Sequence, residues 1–216
     1  MSHDRFLSPL VSPGDMKRSF VSRAGFKLDA AILTFQIPLA NRIAADLGAN
    51  VGGFTDCLLQ HGAAKVYAVD TAYGVLAWTL RKDPRVIVRE RANALHVAFP
   101  EKIDIAVVDV GWTKQEKILP HVRTLLDPDN PSADVLTLIK PHYESAEAAR
   151  QKGVLTLEQS SAVLNTVLDR IAEMGWKIHG VIKTPIEGQK GNAEFVAWLR
   201  PPPTTSASTD IPPSIG

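Results

Sequence analysis

The stretch Asp46-Leu47-Gly48-Ala49-Asn50-Val51-Gly52-Gly53-Phe54 joins a short apolar run to an amphipathic one, and it decides the fold. A strand pattern that ends in an acid and a glycine-rich turn, followed by a helical pattern, is typical of the first unit of an α/β sheet. Gly48 allows a tight turn out of the strand. Gly52 and Gly53 allow backbone to approach a ligand where the helix begins. The turn therefore predicts a nucleotide-like ligand.

The same alternation of short apolar and longer amphipathic runs continues along the chain. Strands are predicted at 43–47, 65–69, 85–88, 103–108, 135–139, 176–182 and 194–199. Helices are predicted at 53–61, 73–81, 114–126 and 157–174, and Ser22 is predicted to cap an earlier helix with Leu28, Ile32 and Phe35 on its apolar face. This order predicts an α/β fold with a mostly parallel seven-stranded sheet covered on both faces. Because a loop at 183–192 joins the last two strands, one antiparallel edge strand is expected.

Composition bounds the class of protein. The 216 residues are 45% hydrophobic and 22% charged, which predicts one globular domain, at 21–200. An extended leader is expected at 1–20, and a disordered tail rich in Pro, Ser and Thr at 201–216. No apolar run approaches the ~18–20 residues of a membrane span, so no membrane partner is expected. The single cysteine, Cys57, excludes an internal disulfide and suits the reducing cytoplasm, where we expect the protein.

Charged residues follow four of the predicted strands: Asp46, Asp70, Asp109 and Lys140. Ligands of open α/β sheets bind beyond the carboxyl ends of the strands, so a polar cleft is predicted there. The spacing Asp-x-Gly-x-x-x-Gly-Gly differs from the dinucleotide pattern Gly-x-Gly-x-x-Gly, because Asn50 stands at the second glycine position. Asp46 would oppose a pyrophosphate but suits an ammonium, and Asp70 suits ribose hydroxyls. These features indicate an adenosine ligand with an amino-acid end.

Segments of the chain resemble a known family in a consistent order from about residue 20 to residue 199. They lie at 20–28, 46–59, 66–78, 83–86, 90–94, 139–144 and 191–195. The resemblance is to the hemolysin-A-like (TlyA) branch of the FtsJ ribosomal RNA methyltransferases. It implies a Rossmann-like methyltransferase fold, S-adenosyl-L-methionine as cofactor, and methylation of a ribose 2′-hydroxyl of RNA, with ribosomal RNA as the usual target.

The resemblance also implies site residues. A Lys-Asp-Lys-Glu tetrad would comprise Lys27, Asp109, Lys140 and Glu194. The donor contacts implied by the turn, the strand ends and the family motifs are Asp46, Gly48, Ala49, Asn50, Gly52, Gly53, Phe54, Asp70, Asn93 and Asp109. A ribose hydroxyl is a poor nucleophile, so a base must take its proton. We expect Lys140 to be that base, with a pKa lowered by burial and by Lys27, and with Asp109 and Glu194 orienting the two lysines.

Recognition of RNA has several candidate residues and several open alternatives. The candidate contacts are Lys17, Arg18, Arg23, Trp112, His142 and Tyr143. The basic run at 17–27 has two interpretations, a phosphate contact or a solvated face. Trp112 likewise is either a base-stacking residue or a core aromatic. Family members carry a small RNA-binding module before the segment at 20–28, where this chain has only about twenty residues. RNA selection would then rely on the basic segment, the rim of the cleft or a partner protein.

Other functions stay open at this stage. The histidines at 3, 61, 96, 121, 142 and 179 show no metal-ligand spacing, so no metal is expected. The net charge of +1 creates no overall field for a polyanion, which suits a methyltransferase with a small-molecule or protein acceptor. A non-catalytic adenosyl-binding assembly factor is the alternative from another class.

Overall fold

The computed structural model describes residues 18–145 and 153–202. The predicted leader and tail, and the candidate RNA contact Lys17, therefore fall almost wholly outside the described residues. Within them, no helix is long and apolar enough to cross a membrane.

Strands and helices alternate as predicted. The strands are β1 (Ile43–Leu47), β2 (Lys65–Asp70), β3 (Val86–Glu90), β4 (Ile105–Val108), β5 (Asp134–Ile139), β6 (Lys177–Lys183) and β7 (Phe195–Arg200). The helices are α1 (Ala24–Phe35), α2 (Gly53–Gln60), α3 (Trp78–Arg81), α4 (Gln115–Leu125), α5 (Pro141–Glu144) and α6 (Leu157–Glu173), with a short 3-10 turn at Gln189–Gly191. Every predicted strand is present, and its bounds agree within two residues.

One seven-stranded sheet has the order β3-β2-β1-β4-β5-β7-β6. Strands β1 to β5 pair in parallel, and β7 runs antiparallel to both β5 and β6. The fold class is confirmed, and the antiparallel strand lies one position in from the edge, with β6 outside it. The chain order reverses between β1 and β4, and such a switch point is where α/β sheets bind ligands.

Two apolar layers hold the helices on the sheet. One contains Leu28 of α1 and Leu58 of α2 with the facing strand residues, and the other contains Leu119 of α4 and Ile171 of α6. Strands β4 and β5 are buried along their whole length because helices cover both faces. Full burial of each large aliphatic side chain contributes about 1.5–3 kcal/mol to folding. The sheet is therefore a rigid platform for residues at its carboxyl edge.

Two local predictions are wrong. Ser22 does not cap α1 with its side chain: the helix begins at Ala24 after an uncapped Arg23, and the Ser22 hydroxyl lies against Gly53 of α2. The helix predicted at 73–81 is reduced to the four residues of α3. Glu90 accepts a hydrogen bond from the Gly74 amide at 3.0 Å and pairs with Arg81. These contacts hold residues 73–77 as a loop before α3 begins.

Candidate active site

Two cavities lie side by side at the carboxyl edge of the sheet. The turn cavity, of about 380 Å³, is bordered by the glycine turn and by the ends of β2, β4 and β5. The α1 cavity, of about 300 Å³, lies between the start of α1, the end of β5 and the loop that joins β6 to β7. Lys140 and Tyr143 line both cavities. A molecule bound in one cavity therefore meets a molecule bound in the other at these two side chains.

The four predicted tetrad residues come together as two ion pairs. The Lys140 ammonium pairs with Asp109, from the ends of the adjacent strands β5 and β4. The Lys27 ammonium pairs with Glu194, which lines the α1 cavity. Glu194 reaches this edge because β7 is antiparallel, so its first residues lie beside the last residues of the parallel strands.

The two pairs differ in burial. The side chains of Lys27 and Glu194 are 12% and 4% exposed, against 16% and 19% for Lys140 and Asp109. The Glu194 carboxyl packs so closely on Gly188 that a methyl group there would overlap it at 2.0 Å. A buried carboxylate is tolerated only when it is paired, and Lys27 supplies the pairing charge.

The pKa of Lys140 is not lowered as expected. Burial of the ammonium lowers the pKa, but the carboxylates of Asp109 and Glu194 raise it more, so that the pKa of Lys140 lies above its usual value. Lys140 is therefore mainly protonated at neutral pH.

Five of the predicted donor contacts line the turn cavity: Gly48, Asn50, Asp70, Asn93 and Asp109. The Asp70 carboxylate accepts hydrogen bonds from the backbone N–H groups of Asn50, at 2.7 Å, and Ala72, at 2.8 Å. It thereby joins the glycine turn to the loop after β2 and keeps free lone pairs for further donors. The side-chain Oδ1 of Asn93 accepts a hydrogen bond from the Leu95 amide at 2.9 Å, which fixes the rim opposite the turn.

Packing also requires glycine in the turn, in addition to the close approach of a ligand that the sequence predicts. Gly48 has a left-handed φ of 97°, and a side chain there would meet the backbone oxygen of Asp109 at 2.2 Å. A side chain at Gly53 would meet the Ser22 hydroxyl at 2.2 Å and the Gly25 nitrogen at 2.9 Å. Gly48 thus lets β1 approach β4, and Gly53 lets α2 approach α1.

The remaining predicted donor contacts lie behind the cavity wall. Asp46, Ala49, Gly52, Gly53 and Phe54 do not line the turn cavity. Ala49 and Phe54 belong to the core under α2, and Gly52 is the residue that precedes that helix.

Asp46 is fully buried at the end of β1. Its Oδ2 accepts a hydrogen bond from the Thr55 hydroxyl at 2.7 Å, and its Oδ1 has no partner among the described residues. Burial raises the pKa of Asp46 to about 7, with further increases from the Asp109 and Asp70 charges and a partial offset from Thr55. Asp46 therefore lies at the base of the turn with one carboxylate oxygen unpaired within the described part of the chain, and its contact with the donor stays a prediction.

The predicted RNA contacts divide into two groups. Trp112 is 79% exposed and stacks on Tyr143 with ring centroids 4.3 Å apart, so the alternative of a core aromatic is wrong. Arg23 and His142 line the α1 cavity, and burial lowers the pKa of the His142 imidazole, helped by the nearby lysines. Arg18 instead pairs with Asp29 at 3.4 Å, away from both cavities.

Several lining residues were missed from the sequence. Thr71, Gly111 and Thr113 line the turn cavity directly after strand ends, so extending each strand-end motif by a few residues would have found them. Ile186 and Glu187 line the α1 cavity from the β6–β7 loop. No sequence signal places that loop at the site, because its position depends on β6 running parallel to β5 at the far edge.

Among residues 18–145 and 153–202, one cluster of side chains consists of types that can bind a metal ion. Asp29, Cys57 and His61 lie with their ligand atoms within 4.8 Å of one another, where α1 packs on α2. His61 Nε2 is 2.6 Å from Asp29, and Arg18 pairs with the same carboxylate. These contacts account for Oδ1 of Asp29, whereas its Oδ2 has no partner among the described residues and Cys57 is a buried free thiol.

Known proteins match the chain along most of its length. The model of the FtsJ-like methyltransferases matches residues 20–201. The 16S/23S rRNA (cytidine-2′-O)-methyltransferase TlyA of Mycobacterium tuberculosis is 38% identical over 192 residues, covering 86% of this chain and 70% of that protein. Hemolysin A of Brachyspira hyodysenteriae is 39% identical over 184 residues, covering 82% and 75%.

A solved structure agrees with these sequence matches. A provisionally named hemolysin from Streptococcus thermophilus superimposes with a TM-score of 0.79 at 33% identity, covering 90% of this chain and 73% of that one. Fold and sequence agree over most of the chain. The chain belongs to the FtsJ-like methyltransferase family.

Proposed function

We propose that this chain transfers the methyl group of S-adenosyl-L-methionine to a ribose 2′-hydroxyl of RNA, with Lys140 as the base. The observation that carries the proposal is the position of Lys140, which lines both cavities and pairs with Asp109. Methyl transfer requires donor and acceptor in contact beside a base. The junction of the two cavities offers that arrangement.

The turn cavity suits the donor. Its volume lies within the range of small-molecule sites, and its lining includes the carboxylates Asp70 and Asp109 with the Asn93 amide. The one lysine in that lining, Lys140, is already paired with Asp109. Carboxylates favour a ligand with hydroxyl donors and positive charge over a phosphate. Bound there, S-adenosyl-L-methionine would supply a methyl group on a sulfonium whose positive charge also favours the deprotonated form of Lys140.

The α1 cavity suits the acceptor. The Lys27–Glu194 pair forms part of its wall. Neutral Lys140 would take the hydroxyl proton onto Nζ while the ribose oxygen bonds to the methyl carbon and the methyl–sulfur bond of the donor breaks, leaving a neutral thioether. Asp109 orients the Lys140 ammonium so formed, and Glu194 fixes Lys27 beside it. The raised pKa of Lys140 means that the base form is the minor one at neutral pH.

RNA is the acceptor that the surroundings of this cavity favour. Arg23 lines the cavity, where it can contact a phosphate. The exposed Trp112–Tyr143 stack lies beside it and can extend onto a base, as single-stranded RNA recognition requires. The relative from Mycobacterium tuberculosis is named for 2′-O-methylation of cytidine in 16S and 23S rRNA, which makes ribosomal RNA the first target to test. Targeting by a partner protein and a cytoplasmic location remain predictions.

The test is methyl transfer itself. Purified protein is incubated with total RNA and S-adenosyl-L-methionine that carries a labelled methyl group, and the labelled ribose is mapped. We expect label on one or a few 2′-hydroxyls and none with Lys140→Ala. Full transfer by Lys140→Ala would contradict the mechanism.

The competing functions predict different results in the same experiment. An assembly factor binds the donor but labels no RNA, and a methyltransferase with another acceptor labels protein or a small molecule in a crude extract. RNA affinity measured against salt adds a further criterion, because a surface that contacts phosphates loses affinity steeply as salt is raised.

A further inference from the structure

Glu144, the last residue of α5, lines neither cavity and has no part in the mechanism above. Its side chain is nevertheless buried, with 9% of the residue exposed. Oε1 of Glu144 accepts a hydrogen bond from the backbone nitrogen of Gln115 at 2.9 Å. A buried carboxyl group is costly unless it is bonded, so this contact accounts for its presence.

The bond to Gln115 caps a helix from a distant part of the chain. Gln115 is the first residue of α4, and the preceding Lys114 makes no side-chain cap. The first amides of a helix have no partner within the helix, and negative charge is favourable there. Glu144 supplies the acceptor that the local sequence of α4 lacks.

Gln115 is itself bound to β5. Its Oε1 accepts from the Thr137 hydroxyl at 2.7 Å, and its Nε2 donates to the Leu138 carbonyl at 3.3 Å. Lys140 follows these two strand residues after Ile139. The chain from β5 through Lys140 and Glu144 to Gln115 and back to β5 is therefore a closed ring of contacts.

The ring joins the two segments that carry the central ion pair. The segment 109–115 carries Asp109 and Trp112, and the segment 140–144 carries Lys140 and Tyr143. The Lys140–Asp109 pair connects the segments at one end, and the Glu144–Gln115 bond connects them at the other. The Trp112–Tyr143 stack lies between these two connections, and together the contacts define a relative orientation that a single ion pair cannot.

We propose that Glu144 is a positioning residue for methyl transfer: by accepting a hydrogen bond from the Gln115 amide, it holds α5 on the start of α4 and sets the position of Lys140 relative to Asp109. The inference rests on the proposed function, since it assigns the effect to that reaction. The essential property of Glu144 is a hydrogen-bond acceptor at the right distance.

Two conservative variants separate the acceptor from the charge. Glu144→Gln keeps an acceptor oxygen at full length and removes the charge. Glu144→Asp keeps the charge and withdraws the oxygens by one methylene. We expect Glu144→Gln to retain about half of the wild-type kcat or more, and Glu144→Asp to lose about tenfold or more, because a displacement of about 1 Å is costly at a reacting centre.

Hydrogen exchange of the Gln115 amide gives a readout independent of activity. We expect slow exchange in the wild type and in Glu144→Gln, and exchange about tenfold faster or more in Glu144→Asp, since loss of the bond leaves a frayed helix terminus. Thr156→Ala is the matched control, because it removes the side-chain cap of α6, another helix that packs on α5, without removing the acceptor of the Gln115 amide. It should change kcat by less than about twofold.

Any of three results would overturn the proposal. They are a higher kcat for Glu144→Asp than for Glu144→Gln, the same rate of Gln115 amide exchange in all the proteins, or a loss of kcat in Thr156→Ala as large as that in Glu144→Asp. Wild-type protein that labels no RNA would instead overturn the proposed function. In that case the exchange order of the two variants still decides whether Glu144 holds α5 on α4.

Discussion

The two ion pairs of the site have the same chemistry and different positions. Lys140 and Asp109 are 31 residues apart and stand on adjacent strands, whereas Lys27 and Glu194 are 167 residues apart and join α1 to the start of β7. The first pair borders both cavities, and the second borders only the α1 cavity and is more buried. The difference suggests that Lys140–Asp109 carries the proton transfer while Lys27–Glu194 closes the wall that positions the acceptor.

The largest expected effect is the loss of kcat when Lys140 is replaced. Lys140→Met should lower kcat by about 10³-fold, because a positioned base contributes on that order. Lys27→Met should lower kcat by about 10- to 100-fold, since the acceptor is displaced but the base remains. Single-turnover methylation of RNA measures both.

A third pair provides the control for these losses. Lys65 pairs with Glu101 at 2.5 Å, with both side chains more than a third exposed and outside both cavities. Lys65→Met should leave kcat unchanged. Equal losses of kcat in Lys140→Met and Lys27→Met would contradict the assignment of proton transfer to the first pair and of acceptor positioning to the second.

The next effect is on the free energy of unfolding, where the Lys27 variant should lose more than the Lys140 variant. Lys27→Met leaves the Glu194 carboxylate buried without a partner, which should lower the free energy of unfolding by about 3 kcal/mol. Lys140→Met leaves Asp109, whose side chain is 19% exposed and keeps some contact with water, so it should cost less, about 2 kcal/mol. Lys65→Met leaves an exposed Glu101 and should cost about 1 kcal/mol or less. Urea unfolding with a constant m-value measures the three, and a Lys27 variant as stable as the Lys65 variant would refute the assignment.

The pH dependence of turnover tests the link between the pairs. Because the pKa of Lys140 is raised, the base form increases with pH, and kcat should rise by up to about tenfold per pH unit through neutral pH. Glu194 contributes to that raised pKa. Glu194→Gln should therefore move the rising limb to lower pH. A uniform loss of kcat at every pH would indicate a structural role only.

The last effect appears only in the pH dependence of stability and concerns Asp46, a buried carboxyl with no cation partner among the described residues. Its pKa of about 7 lies above the unfolded value, so the folded state holds a proton that the unfolded chain has lost. Stability should fall as the pH rises from about 4 to about 7, by up to about 1 kcal/mol per unit, and then level off. Asp46→Asn should flatten this slope in unfolding curves recorded between about pH 5 and 8. An unchanged slope would exclude Asp46 as its source.

Much of the fold followed from local pattern. The strands read from apolar runs agree with the structure because buried parallel strands need continuous apolar residues. Ser22 and α3 were mispredicted because long-range contacts, to Gly53 and to Glu90, decided them. The grouping of Lys27 with Glu194 came from family resemblance, since no local signal connects residues so far apart.

By itself, the sequence determined the seven strands, the glycine turn after β1 and the polar residues at the strand ends, because periodicity and turn chemistry act between near neighbours. The tertiary structure alone decided which lysine faces both cavities, that the Lys140 pKa is raised, and that Glu144 caps α4. Each of these depends on distances between distant segments and on the desolvation that their packing produces. Such quantities exist only when the sheet has formed.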